Sequence, residues 1–120
     1  MMTPKIYIAQ DPVLEEVLDT ATDRLRAEGW EVVRGPQITP GVPLRLTEEQ
    51  RQALLSDVDI IVASSRSRLS EADLDASPRL RALVFPTIGV DAVDLEACAA
   101  RGLIVANGAT PENFLAMSEA

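Results

Sequence analysis

The sequence predicts an α/β fold, a doubly wound parallel sheet of five strands in the order 2-1-3-4-5. Three observations predict it. Short aliphatic runs alternate with helix-length stretches along the chain. Most of those stretches open on a capping residue, namely Asp11, Thr47, Ser70 or Asp94. The third run, Asp59-Ile60-Ile61-Val62-Ala63, is continuously apolar after its first residue, as a strand covered on both faces requires.

Lys5 to Ala9 reads as the first strand, ended by Gln10-Asp11-Pro12. Asp11 is expected to cap a helix with Pro12 in its first position and Glu15 and Glu16 near the positive end of its dipole. Leu14, Val17, Leu18, Ala21 and Leu25 recur at helical spacing and form its apolar face, and Gly29 stops it. Trp30 to Val33 follows as the second strand, closed by Gly35-Pro36. Three prolines and two glycines between Gly35 and Pro43 make that segment a loop.

Thr47-Glu48-Glu49-Gln50 has the spacing of a capping box and opens a helix carrying Leu54 and Leu55. After the third strand, Ser64 to Ser70 is a polar loop with two arginines, and Ser70-Glu71-Ala72-Asp73 opens a short helix that Pro78 breaks. Leu80 to Phe85 supplies the fourth strand, and Pro86-Thr87-Ile88-Gly89 a turn. Asp94 caps a helix ended by Arg101-Gly102, Leu103 to Ala106 is the fifth strand, and a last helical stretch runs from Pro111 to the end. Strand–helix alternation in one sheet calls for right-handed crossovers.

Composition narrows the function. A chain of 120 residues fits one domain, residues 1–120, and 47% hydrophobic residues suffice for a core. With aromatics at 3%, that core is aliphatic. A net charge of −8 argues against nucleic acid as a partner. The start of the chain is too soon interrupted for a signal peptide, and no apolar stretch approaches bilayer length, so no membrane partner is expected. A single cysteine, Cys98, permits no intramolecular disulfide and fits a cytoplasmic location; its apolar neighbours suggest a core residue. With no histidine, every scheme using a His base, acid or metal ligand falls away, and no metal site is expected.

Open parallel sheets bind ligands outside the carboxyl ends of their strands. The loop of Ser64, Ser65, Arg66, Ser67 and Arg68 offers hydroxyls and guanidiniums suited to a carboxylate or phosphate. On the residues alone, a solvated loop whose serines cap a turn is the simpler reading. The glycine of Ile88-Gly89 lets backbone N–H groups form an anion nest, although an ordinary tight turn explains the pair as well. Asn113 reads by default as a surface amide, and Asp91 and Asp94 as caps.

From Asp59 to Glu119 the chain resembles the amino-terminal part of the NAD-dependent D-2-hydroxyacid dehydrogenases. The resemblance is carried by Asp59-Ile60-Ile61-Val62, Arg68-Leu69-Ser70 and Pro78-Arg79-Leu80-Arg81. It is most specific from Ile88-Gly89-Val90-Asp91 through Arg101-Gly102-Leu103-Ile104-Val105-Ala106-Asn107. It implies the flavodoxin-like substrate-binding domain of that family. It further implies that the Ile88 and Gly89 amides hold a substrate carboxylate, with side-chain contacts from Ser64, Ser65, Arg66 and Ser67 and from Asn113. Many members begin that loop with an Arg where Ser64 or Ser65 stands, which leaves the identity of the 2-oxo or 2-hydroxy acid open. The family's nucleotide-binding domain would bring the Gly-x-Gly-x-x-Gly fingerprint, the catalytic Arg and Glu, and a His; none is found in this sequence. The expectation is therefore a domain or fragment with no catalytic residue and no bound cofactor of its own, inactive alone, with NAD(P) implied for the full-length family. In that family later segments cover the sheet, so without them a weak homodimer through Phe114, Leu115 and Met117 is expected. A receiver-type signalling module fits poorly, because the third strand ends in Ala63-Ser64-Ser65 and the fifth in Asn107-Gly108. A non-catalytic scaffold or interaction module remains the alternative.

Overall fold

The computed structural model describes residues 4–39, 41–42, 44–64, 67, 69–85 and 93–106. Five strands, β1 (Lys5–Ile8), β2 (Glu31–Arg34), β3 (Ile60–Val62), β4 (Ala82–Val84) and β5 (Ile104–Ala106), form one sheet in the order β2-β1-β3-β4-β5. All four pairings are parallel. Between them run α1 (Glu15–Ala27), α2 (Glu48–Leu55), α3 (Glu71–Asp75) and α4 (Leu95–Ala100). The expected fold class and strand order are both present.

The local signals explain most boundaries. Thr47 and Ser70 each accept the N3 amide while the Gln50 and Asp73 side chains return to the cap amides, two complete capping boxes. Asp94 accepts from the amides of Glu96 and Ala97. Gly29, at φ 95°, ends the stretch after α1 in a conformation that L side chains rarely adopt. α1 departs from expectation. It begins at Glu15 with Leu14 at the N-cap and no side-chain cap, because the Asp11 carboxylate bonds a turn earlier, to the Val13 amide. Val17 lies 61% exposed on the flank of the helix, while Thr22 takes an inner position and donates to the Leu18 carbonyl.

The strand period of two divides the core. Tyr7, Ile61 and Leu83 face α2, α3 and α4 and join Leu55, Val58, Leu74, Phe85 and Cys98 in the larger cluster. Ile6, Ile8 and Val32 face α1 and pack on Leu18. On this second face the register aligns Ile6, Ile60, Ala82 and Ile104 in one row. Exposure rises along that row from 4% at Ile6 to 68% at Ile104. β3 is thus fully covered on one face and only partly on the other.

Asp59 anchors the amino-terminal edge. Its Oδ2 accepts the Lys5 amide at 2.9 Å, the Arg79 guanidinium donates to both carboxylate oxygens, and its backbone bonds to Lys5 and Arg81. One residue therefore ties β1 and β3 to the approach to β4.

Candidate functional site at the carboxyl edge of the sheet

Because all strands are parallel, their carboxyl ends share one edge, where Ala9, Gly35, Ala63 and Phe85 continue the ladder by one bond each. The turns leaving β1 and β3 meet there. Ser64 Oγ donates to Asp11 Oδ2 at 2.5 Å, and Asp11 Oδ1 accepts the Val13 amide at 2.9 Å. Both residues are buried, Asp11 at 2% and Ser64 at 3% exposure. Ala9, Leu14, Leu18 and Val62 close around the pair and leave no room for a ligand or a water molecule.

From Ser64 the chain doubles back. The Ser67 amide donates to the Ser64 carbonyl at 3.0 Å, and Ser67 forms an isolated parallel bridge with Leu44. Ser67 is buried, yet its Oγ has no hydrogen-bond partner. Buried hydroxyls nearly always find one, so this atom is a polar group whose partner the described residues do not supply.

Arg34, at the carboxyl end of β2, reaches the same edge. It donates to Gln10 Oε1 at 2.9 Å, to Asp19 at 2.7 Å and to Thr22 Oγ1 at 3.3 Å. Its guanidinium is thereby held against the middle of α1. Behind it Gly35 packs on the ring of Tyr7, whose phenol is pushed up to about 12 by burial first and by the charge of Asp73 second.

Of the residues named from sequence, Ser64 and Ser67 stand together at this edge, whereas Ser65, Arg66, Ile88, Gly89 and Asn113 lie outside the described residues. The last helical stretch and the Pro86 to Gly89 turn lie outside them too. Sequence reasoning missed Asp11 as a partner of Ser64, and it missed Arg34. The Asp-Pro step after a strand resembles a cap, and only the fold reveals the long-range bond.

Among the described residues no group of three His, Cys, Asp or Glu side chains stands ready for a metal, and no helix is long and apolar enough to cross a membrane. Cys98 is buried, and its thiol is pushed up by burial and then by Asp94, against a smaller pull from Arg101. The described residues do not fit a dinucleotide. The turn after β1 carries no glycine and places the buried Asp11 carboxylate where a diphosphate needs N–H donors.

A family model described as D-isomer specific 2-hydroxyacid dehydrogenase, catalytic domain, matches residues 11–112. A glyoxylate reductase from Thermococcus kodakarensis is 29% identical over 114 residues, covering 92% of this chain and 29% of the relative. An erythronate-4-phosphate dehydrogenase from Shewanella sp. (strain MR-7) is 39% identical over 71 residues, 59% of this chain and 18% of the relative. Among solved structures, an NAD⁺-bound 3-phosphoglycerate dehydrogenase from Entamoeba histolytica superposes with a TM-score of 0.71 at 22% identity, over 88% of this chain and 33% of that one. That likeness shows the fold. The chain thus spans less than a third of the length of the curated relatives it matches.

Proposed function

Since the chain belongs to the D-isomer specific 2-hydroxyacid dehydrogenase family, we propose that it is the substrate-binding domain of such an enzyme. It binds a 2-oxo or 2-hydroxy carboxylate at the carboxyl edge of its sheet and does not turn it over alone. The observation that carries this reading is the Ser67 hydroxyl, buried and unpartnered in the loop that leaves β3. In this reading Arg66 supplies charge, the Ile88 and Gly89 amides and Asn113 complete the site, Ser65 adds a further hydroxyl, and the buried Ser64 shapes the loop. Hydride transfer needs an acid or base and a nucleotide site, and the sequence holds no histidine. NAD(P) chemistry therefore belongs to a partner domain, as does the catalytic Arg, Glu and His set. A cytoplasmic location is part of the same proposal.

The test is a titration of labelled protein with oxalate, glyoxylate and hydroxypyruvate, followed by amide shifts. Saturable shifts in the Ser64 to Arg68 loop and at Gly89 are expected, and Gly89→Val is expected to abolish them with the far-ultraviolet spectrum intact. Shifts confined to other edges of the protein would overturn the assignment. NADH oxidation by the chain alone, above the buffer blank, would overturn the claim that it is inactive.

A second reading concerns self-association. The α1 face leaves Ile104 68% exposed at the end of an otherwise apolar row, and such a strip favours burial against another surface. The proposal is a weak homodimer, with Phe114, Leu115 and Met117 as further contacts. Sedimentation velocity across a hundredfold range of concentration tests it; a monomer throughout refutes it.

A further inference from the structure

We infer that Asp11 is a positioning residue for the ligand loop, acting through Ser64. This rests on the reading of the carboxyl edge given above and deepens it by naming the group that sets the loop. A carboxylate at 2% exposure is costly to bury unless donors meet its oxygens. Among the described residues its donors include the Val13 amide ahead of α1 and the Ser64 hydroxyl just past β3, 53 positions away in sequence. The 2.5 Å separation to Ser64 Oγ is that of a hydrogen bond strengthened by charge.

Were Asp11 only a helix cap, it would stand at the N-cap of α1. That position belongs to Leu14, which makes no side-chain cap. The Asp11 carboxylate instead holds Ser64. Ser64 commits its one hydroxyl proton to that bond, while its carbonyl accepts the Ser67 amide at 3.0 Å. Geometry is thereby passed from Asp11 through Ser64 to Ser67, whose buried hydroxyl independently calls for a ligand oxygen. Asp11 itself touches no ligand in this scheme.

The test uses the whole chain with oxalate as the probe and reads two quantities, the oxalate Kd from amide shifts and the hydrogen exchange of the Ser67 amide. Ser64→Ala is expected to weaken oxalate about tenfold, the weight of one well-placed hydrogen bond. It should also speed exchange at Ser67 and leave the Leu83 amide as protected as before. Asp11→Asn, which keeps the shape, is expected to fall between wild type and Ser64→Ala, and Ser64→Thr, which keeps the hydroxyl, to restore affinity. Wild-type affinity and unchanged Ser67 exchange in folded Ser64→Ala would overturn the inference while leaving the ligand site standing. An absence of saturable oxalate shifts in the wild-type chain would overturn the ligand reading and the inference with it.

Discussion

Gly35 offers the sharpest test of the packing at the carboxyl edge. Its backbone needs no unusual conformation, so the reason for glycine is space alone. A Cβ there would overlap the Tyr7 hydroxyl, sit 2.9 Å from Tyr7 Cζ and 3.4 Å from Ala9 Cα. Tyr7 is 1% exposed and lies in β1, hydrogen-bonded between β2 and β3, so neither the ring nor the backbone behind it yields cheaply. Overpacking of this kind costs about 1–3 kcal/mol, and we expect Gly35→Ala to fall near ~2 kcal/mol. With a urea slope of about 2 kcal/mol per molar, the unfolding midpoint drops by about 1 M. Tyr7→Phe removes the overlapping oxygen but not Cζ, so in the Gly35→Ala background it should recover about half of that loss, read as a double-mutant cycle. A Gly35→Ala protein as stable as wild type, or a cycle with no coupling, would show that Tyr7 does not dictate the glycine.

The same phenol gives a pH signature. Tyr7 is the single tyrosine, and its proton is held to about 12 against an ordinary 10.0. Above pH 10 the folded form keeps a proton that the unfolded form loses, so the contribution of Tyr7 to stability is level below pH 10 and falls as pH rises toward 12; tyrosinate absorbance should appear over that window as the denaturant midpoint drops. Arg51 meets the 2%-exposed Asp73 side chain at 2.6 Å, so Arg51→Ala is expected to cost about 3 kcal/mol in urea unfolding and Arg51→Lys distinctly less. Cys98 should resist a thiol reagent in the native protein and react at the rate of unfolding, since burial both hides the thiol and disfavours its thiolate; rapid native-state labelling would contradict this.

How much of this was legible in the sequence depends on the range of each interaction. The caps at Thr47, Ser70 and Asp94 are contacts within three residues, and all three stand where their spacing put them. The strand order also follows from the alternation of elements, since crossover handedness leaves few arrangements. Val17 was misjudged because helical spacing fixes the direction of the apolar stripe but not its width. Asp11 was misjudged because a carboxylate before a helix has a local explanation that the distant Ser64 overrides. Gly35 looked like the close of a strand, whereas its real constraint is a ring in the neighbouring strand. At the candidate site, residue chemistry alone favours a solvated Ser64–Ser67 loop and only the family resemblance raises it to a ligand contact, while the burial that leaves Ser64 pinned and the Ser67 hydroxyl unpartnered has no trace in the sequence.

The Asp59 anchor carries an evolutionary consequence. It gathers β1, β3 and the approach to β4 at the amino-terminal edge, opposite the turns at Asp11, Ser64 and Ser67. Alignment of β1 and β3 with the approach to β4 is therefore reinforced on the side of the sheet away from the proposed site. If the carboxyl edge is the ligand site proposed above, exposed residues of its turns can vary without disturbing this anchor. A domain divided in this way can vary its exposed loop residues while one edge keeps the strands registered, provided that Gly35 and the buried Asp11–Ser64 pair are kept.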